Sequence, residues 1–283
     1  MKTSKIALAI ALIVCGTVGA ANTLEQWQTI RTPPTMPRAD RAGYAPVNGI
    51  NMYYAVFGKG APILLIPIGM ADANMWSAEV PILAKTHTVI VADSRGHGRS
   101  TRTSAPFSYD LMSSDYLALL DYLHIKRVAL VGASDGAIIG IDIAINHPQR
   151  LIKLFAQGAN VTLDGAIDQA ADPRASTAAS RLWKADYQSL SRTPHEYAAF
   201  HAAMSKMWNS EPNYTTGQLA SIRVATAIVM SDHDEWIKPG HARYIARTIP
   251  GAKLIVLQNV SHYAALQDPN GYARAILTFI DGN

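Results

Sequence analysis

The chain is nearly without cysteine: Cys15 is the only one in 283 residues. It lies in a stretch that reads as an export signal. Lys2 and Lys5 give a short basic start, residues 6–14 are continuously apolar, and Val18-Gly19-Ala20 offers small residues before a cut after Ala20 or Ala21. Bulky Val14 beside Cys15 argues against lipid attachment there. Removal of residues 1–20 would leave a mature chain with no thiol. That excludes disulfides, cysteine nucleophiles and thiolate metal sites. An exported, cysteine-free chain fits a bacterial periplasm or secretion.

Charge is also scarce. Charged residues make up 16 % of the chain, so neither disorder nor a charged binding tail is expected. The formal net charge is +4, and without Lys2 and Lys5 the balance is 23 basic against 21 acidic residues. No basic run or stripe appears, so nucleic acid is not an expected partner. Long apolar runs are missing as well. Residues 6–14 fall short of the roughly 20 that a membrane-spanning helix needs, and no stable span is expected once the signal is gone. The pattern carries no signal for an oligomeric state.

What is present is a large apolar fraction, 49 %, enough for one sizeable core. Residues 21–42 hold Pro33, Pro34 and Pro37 without clear periodicity and read as an N-terminal arm. A hairpin is expected around Asn48-Gly49. Short runs rich in Ile, Val and Leu follow at 62–66, 88–92, 128–131, 151–155, 226–230 and 254–257. Such runs suit strands covered on both faces. Helix-length segments lie between them at 75–85, 108–123, 136–147 and 240–248, and 269–280 closes the chain. The alternation predicts an α/β fold with a doubly wound, mostly parallel sheet. Residues 160–220 break the rhythm: they lack a strong strand and space their aromatic and Met residues helically. They read as a helical cap inserted between core segments 43–159 and 221–283.

The run 128–131 leads into Gly132-Ala133-Ser134-Asp135-Gly136, and a helical apolar pattern follows at once. A sharp strand-to-helix turn of this kind lifts a serine out at the sheet's carboxyl edge, with glycines permitting the crowding. Ser134 is the candidate nucleophile; the bland reading is a capping serine in an ordinary turn. A nucleophilic serine needs a base and an orienting carboxylate. His262 follows the last strand-like run and is the candidate base. Asp232, Asp234 and Glu235 follow the run 226–230, and position alone does not choose among them. His233-Asp234 lacks further grouped ligands, so no metal site is expected. Two backbone N–H groups must face the developing oxyanion. Asp135 is one expected donor, and Met70, in Pro67-Ile68-Gly69-Met70, is the other.

Asp93-Ser94-Arg95-Gly96-His97-Gly98-Arg99-Ser100 resembles the Asp-x-Arg-Gly-x-Gly-x-Ser turn of α/β-hydrolases. With the Ser134 pentapeptide, Ser231 to Asp234 and Ser261-His262, four motifs occur in that family's order. The resemblance covers the chain from about Tyr44 onward. It implies a serine hydrolase without cofactor, and a spacing of three residues past Ser231 implies Asp234 as the acid. It also implies a structural role for Asp93 and Arg95. The family's usual His-Gly in the oxyanion loop is replaced here by Ile68-Gly69.

Ser134-Asp135-Gly136 and Gly158-Ala159-Asn160 are similar to the valacyclovir-hydrolase (biphenyl-hydrolase-like) branch. In that branch the Asp after the nucleophile helps to recognise an α-ammonium group, which would make Asp135 a substrate contact. The other reading of Asp135 is a brace for the elbow. Trp183 and Trp208 are further candidates for substrate contact from the cap. The expected activity is hydrolysis of a small or medium ester-like substrate. C–C bond hydrolysis, lactone opening and cofactor-free peroxidation share the constellation. A binding protein on a retired scaffold would not need all three residues.

Overall fold

The computed structural model describes residues 24–168 and 170–282. The signal-like segment, with Cys15, lies outside them. Among the described residues the strands are β1 (Arg41–Val47), β2 (Ile50–Phe57), β3 (Ala61–Ile66), β4 (His87–Ala92), β5 (Val128–Ala133), β6 (Leu151–Gln157), β7 (Ala225–Ser231) and β8 (Lys253–Leu257). They form one sheet in the order β1-β2-β4-β3-β5-β6-β7-β8. β2 runs antiparallel to β1 and β4, and all the pairings from β4 to β8 are parallel. Asn48 and Gly49 turn the first hairpin with φ of 44° and 78°, as a tight primed turn requires.

The helices are α1 (Val80–Leu83), α2 (Tyr109–Tyr122), α3 (Asp135–Asn146), α4 (Arg174–Leu190), α5 (Tyr197–Trp208), α6 (Thr216–Ser221), α7 (Pro239–Thr248), α8 (Ala264–Gln267) and α9 (Pro269–Asp281). They lie on both faces of the sheet. Along β6, Leu154 meets Gly140 of α3, whereas Phe155 packs on Phe279 of α9. Neighbouring strand residues point to opposite faces, so α3 and α9 form different layers. This is the α/β-hydrolase arrangement.

Two expectations change. The helix expected over 75–85 is a 3₁₀ turn, Ala73–Trp76, followed by the single turn α1. Pro81 is the reason: it fits a helix's first turn but lacks the N–H that an interior position needs. The run 254–257 is not covered on both faces. As β8 it closes the sheet's edge, pairs with β7 alone among the described residues, and leaves Leu254 and Val256 each 40 % exposed.

Residues 160–220 carry α4 and α5 and most of α6. The aromatic residues there form a compact cluster. Tyr187 stacks on Phe200 at 4.9 Å, and Phe200 meets His97 and Phe107 of the loop after β4 edge-on. Burial in this cluster pushes the His97 pKa down to about 4, so its ring is neutral near pH 7.

Candidate active site

At the end of β5 the backbone turns sharply, and Ser134 takes φ 52°, ψ −116° before α3 begins at Asp135. A non-glycine residue held there costs about 1–3 kcal/mol, which the surroundings must offset. The Ser134 N–H donates to the Gln157 carbonyl at 2.7 Å, tying the turn to β6. The flanking glycines are needed for space. A Cβ on Gly132 would stand 2.2 Å from the Gly136 carbonyl oxygen, and one on Gly136 would stand 2.3 Å from that of Ile66.

All three acids after β7 reach the base loop, by different atoms. Asp232 accepts the backbone N–H groups of Asn259 and Val260, and Glu235 accepts that of His262. Only Asp234 reaches the imidazole. Its two carboxylate oxygens lie 3.0 and 3.1 Å from His262 Nδ1, and both side chains are buried. Asp234 also accepts the N–H groups of Trp236 and Ile237, which fixes its orientation. Burial alone would lower the His262 pKa. The adjacent Asp234 carboxylate, aided by Glu235 and Asp135, outweighs burial and leaves it raised above the ordinary value. Gly158, at φ 64°, lies against the ring, and a Cβ there would fall 2.9 Å from His262 Cε1.

The loop after β3 places Met70 at φ 71°, another strained non-glycine position. Gly69 beside it admits no side chain, because a Cβ there would lie 2.3 Å from Asp135 Oδ2 and 2.9 Å from Trp208 Cζ2. The buried Asp135 carboxylate thus underpins this loop. It accepts hydrogen bonds from the Tyr109 hydroxyl at 2.9 Å and from Trp208 Nε1 at 2.9 and 3.1 Å. Burial raises its pKa, while the two donors oppose that rise.

Ser134, His262, Met70 and Asp135 line one open cavity of 1110 Å³. Its cap side includes Trp183, Trp208 and His201, and Trp236 and Tyr263 close the side next to the acid and base loops. Trp183 is buried and Trp208 half-buried. Among the described residues no group of three or more His, Cys, Asp or Glu side chains is placed to hold a metal ion.

The model of the alpha/beta hydrolase family matches residues 63–275. The chain belongs to this family. It is similar to a putative carbamate hydrolase, RutD, of Azorhizobium caulinodans, at 26 % identity over 83 % of this chain and 97 % of the relative. It is also similar to rhodomycin D methylesterase DnrP of Streptomyces peucetius, at 27 % identity over 76 % and 89 % of the two chains. Among solved structures, the enol-lactonase from Burkholderia xenovorans LB400 superposes with a TM-score of 0.67. That match has 23 % identity and covers 84 % of this chain and 99 % of the other.

In this alpha/beta hydrolase the motif after β4 is structural, as the resemblance implies. Asp93 accepts the N–H groups of Ala73 and Arg99 and pairs with the Arg99 guanidinium. Arg95 forks onto Asp115 of α2. The sequence reading missed Tyr109, and it quoted Gly158 only for a family likeness, not for its contact with the His262 ring. Tyr109 is signalled only by Ser108, the N-cap of α2, which fixes where that helix begins. The signal for Gly158 was its place just after the strand-like run 151–155, the run immediately before the one that leads to the acid.

Proposed function

We propose that the mature protein is an exported serine hydrolase that cleaves ester-type acyl bonds through an acyl-enzyme on Ser134. The observation that carries this reading is the Asp234 carboxylate on His262 Nδ1, with His262 and Ser134 opening onto the same cavity. Asp234 keeps the proton on Nδ1, so Nε2 is free to act as base. Ser134 Oγ attacks the carbonyl carbon and its proton passes to His262. The oxyanion is met by the N–H groups of Met70 and Asp135. His262 returns the proton to the departing alkoxide, which leaves as an alcohol. Water then attacks the acyl-enzyme with His262 again as base, releasing the acid and restoring Ser134. The scheme uses no metal or organic cofactor.

Trp183 and Trp208 offer apolar contact to a small or medium acyl or alcohol group. Carbamates and lactones present the same kind of acyl carbon. The relative named as a putative carbamate hydrolase, and a further curated relative named as a 3-oxoadipate enol-lactonase of Acinetobacter baylyi, support extending the substrate range to them. Asp135 is better read as a brace than as an ammonium receptor, because Tyr109 and Trp208 already engage its carboxylate. Equal turnover of matched glycyl and acetyl esters would agree with the brace; a glycyl preference lost in Asp135→Asn would reverse it.

The decisive assay uses p-nitrophenyl acetate, butyrate and octanoate with the mature protein and Ser134→Ala. Turnover should vanish in the variant, and a fluorophosphonate should label Ser134 alone. Absence of both signals would end the hydrolase reading. Export is tested separately, by expressing the whole chain in a bacterial host and sequencing the amino terminus of the periplasmic form. A start at Ala21 or Asn22 is expected.

A further inference from the structure

The acid and base loops are irregular, yet a triad requires them to hold position within a fraction of an ångström. Part of their support is mutual, through the bonds of Asp232 and Glu235 described above. The remainder comes from the opposite end of the chain. The arm makes a 3₁₀ turn at Gln26–Gln28 and touches both loops. Trp27 stacks face to face on His233, the immediate neighbour of Asp234, at 4.5 Å and 6° between planes. The Gln26 side chain donates to the carbonyl of Asn259, three residues before His262.

A third contact is buried. Gln267 of α8 is fully enclosed, and its amide is engaged on both sides. Its Oε1 accepts the Ser261 N–H at 2.6 Å. Its Nε2 donates to the Trp27 and Thr29 carbonyls, each at 2.9 Å, and lies 3.0 Å from Ser261 Oγ. One side chain thus joins the arm backbone to the residue that precedes the catalytic histidine. The same short segment reaches the cap, since the Gln28 amide donates to Asp172, just before α4.

From these contacts we infer that residues Gln26–Thr29 are a positioning strap, tying the acid loop, the base loop and the entrance of the cap into one unit. Trp27 and Gln26 touch no reacting atom; they act through His233 and Asn259. The inference rests on the proposed hydrolase site, because it assigns the strap the task of keeping Asp234 on His262. Loosening it lets the imidazole drift from Asp234 while the sheet and elbow stay in place. Trp27 is only partly buried and His233 is exposed, so the strap can be loosened without opening the core.

The test is Gln26→Ala/Trp27→Ala in the full mature chain, beside Trp27→Phe, which keeps an aromatic face on His233. For p-nitrophenyl butyrate the double variant should lose about tenfold in kcat with KM nearly constant, since misplacement near the chemistry is costly. Its acid limb should move to lower pH as the Asp234 partner loosens, a change that general destabilisation would not produce. Backbone amides at 259–262 should exchange faster, and Trp27→Phe should recover most of each effect. Unchanged kcat, acid limb and amide exchange would reduce the arm to simple packing and overturn the inference. If wild type is labelled by fluorophosphonate but does not turn over the ester, the labelling rate replaces kcat. If wild type is not labelled, the hydrolase reading fails and amide exchange alone decides the strap. Should the double variant lose its cooperative melt, Gln26→Ala alone is read by amide exchange; faster exchange supports the strap and no change overturns it.

Discussion

The floor and the roof of the cavity are held by different physics. On the floor, backbone geometry does most of the work. Ser134, Met70 and Gly158 all have positive φ, and Gly69, Gly132, Gly136 and Gly158 each leave no room for a Cβ. The roof is held by side chains: Trp208 on Asp135, and Phe200 against Tyr187, His97 and Phe107. Backbone constraints tolerate almost no substitution, because an added Cβ meets a main-chain atom, the buried Asp135 carboxylate or the His262 ring. Side-chain contacts can be traded for others of similar shape. On the proposed function, reaction chemistry would reside in the rigid part and substrate choice in the part that can vary.

Breaking the floor should give the largest losses. Asp234→Asn leaves the shape intact but no longer holds His262 in the right tautomer, and kcat should fall about 10³–10⁴-fold. Gly158→Ala should follow, at roughly 10²-fold, because the new methyl group displaces the His262 ring. Ester turnover with fluorophosphonate labelling rates checks both, and a near-normal Gly158→Ala enzyme would refute the rigid-floor argument. Trp208→Phe tests the roof. It keeps an aromatic ring yet leaves the Asp135 carboxylate beneath the oxyanion loop held by Tyr109 alone, so kcat should drop about tenfold. A change confined to KM would make Trp208 a substrate contact only.

The pH profile reports on the same contrast. The base must be neutral to accept a proton, and the Asp234 carboxylate holds the His262 pKa above its ordinary value of 6.5. Below that raised pKa the imidazole is protonated, so activity should be half lost at a pH above 6.5. Removing the negative partner in Asp234→Asn should shift this acid limb downward. His97, in the cap cluster, is already neutral and should leave the profile unchanged.

The same division explains what could be read from the sequence. Ser134 and His262 were legible because the elbow and the last strand require particular residue types at fixed spacing. The acid was not separable from Asp232 and Glu235 by position, since all three reach the base loop and only side-chain direction distinguishes them. Family spacing pointed to Asp234 where local pattern could not. Edge strand β8 was mistaken for a buried one because a short apolar run does not announce its neighbours. The helix over 75–85 failed at Pro81. The role of Gln26–Gln28 was invisible, because its partners lie more than 140 residues away and include no sequence motif.

The smallest expected effect lies where floor and roof meet electrostatically. Asp72, in the loop after β3, is buried beside Asp93, and its pKa is pushed up to about 7 by burial and by that neighbouring carboxylate. Asn74 N–H and Arg99 oppose the rise, while Asp186 of cap helix α4 adds to it. Asp186 itself is half-buried and within reach of Arg99. The unfolded chain releases this proton near the ordinary carboxylate value of 3.8. Folding then favours the protonated form, so the contribution of Asp72 to stability falls as pH rises from about 4 to about 7 and levels off above, against the opposite contribution of His97. Asp186→Asn removes one like charge from the cap side and should lower the folded pKa of Asp72. The decline should end at a lower pH, with Tm above pH 7 raised by about 1–2 °C, in proportion to a surface-scale electrostatic gain. Melting curves of both proteins between pH 4 and 8 measure this. Parallel curves would mean that the cap does not feel the charge state of the loop, and that floor and roof communicate through Trp208 and Asp135 without Asp186.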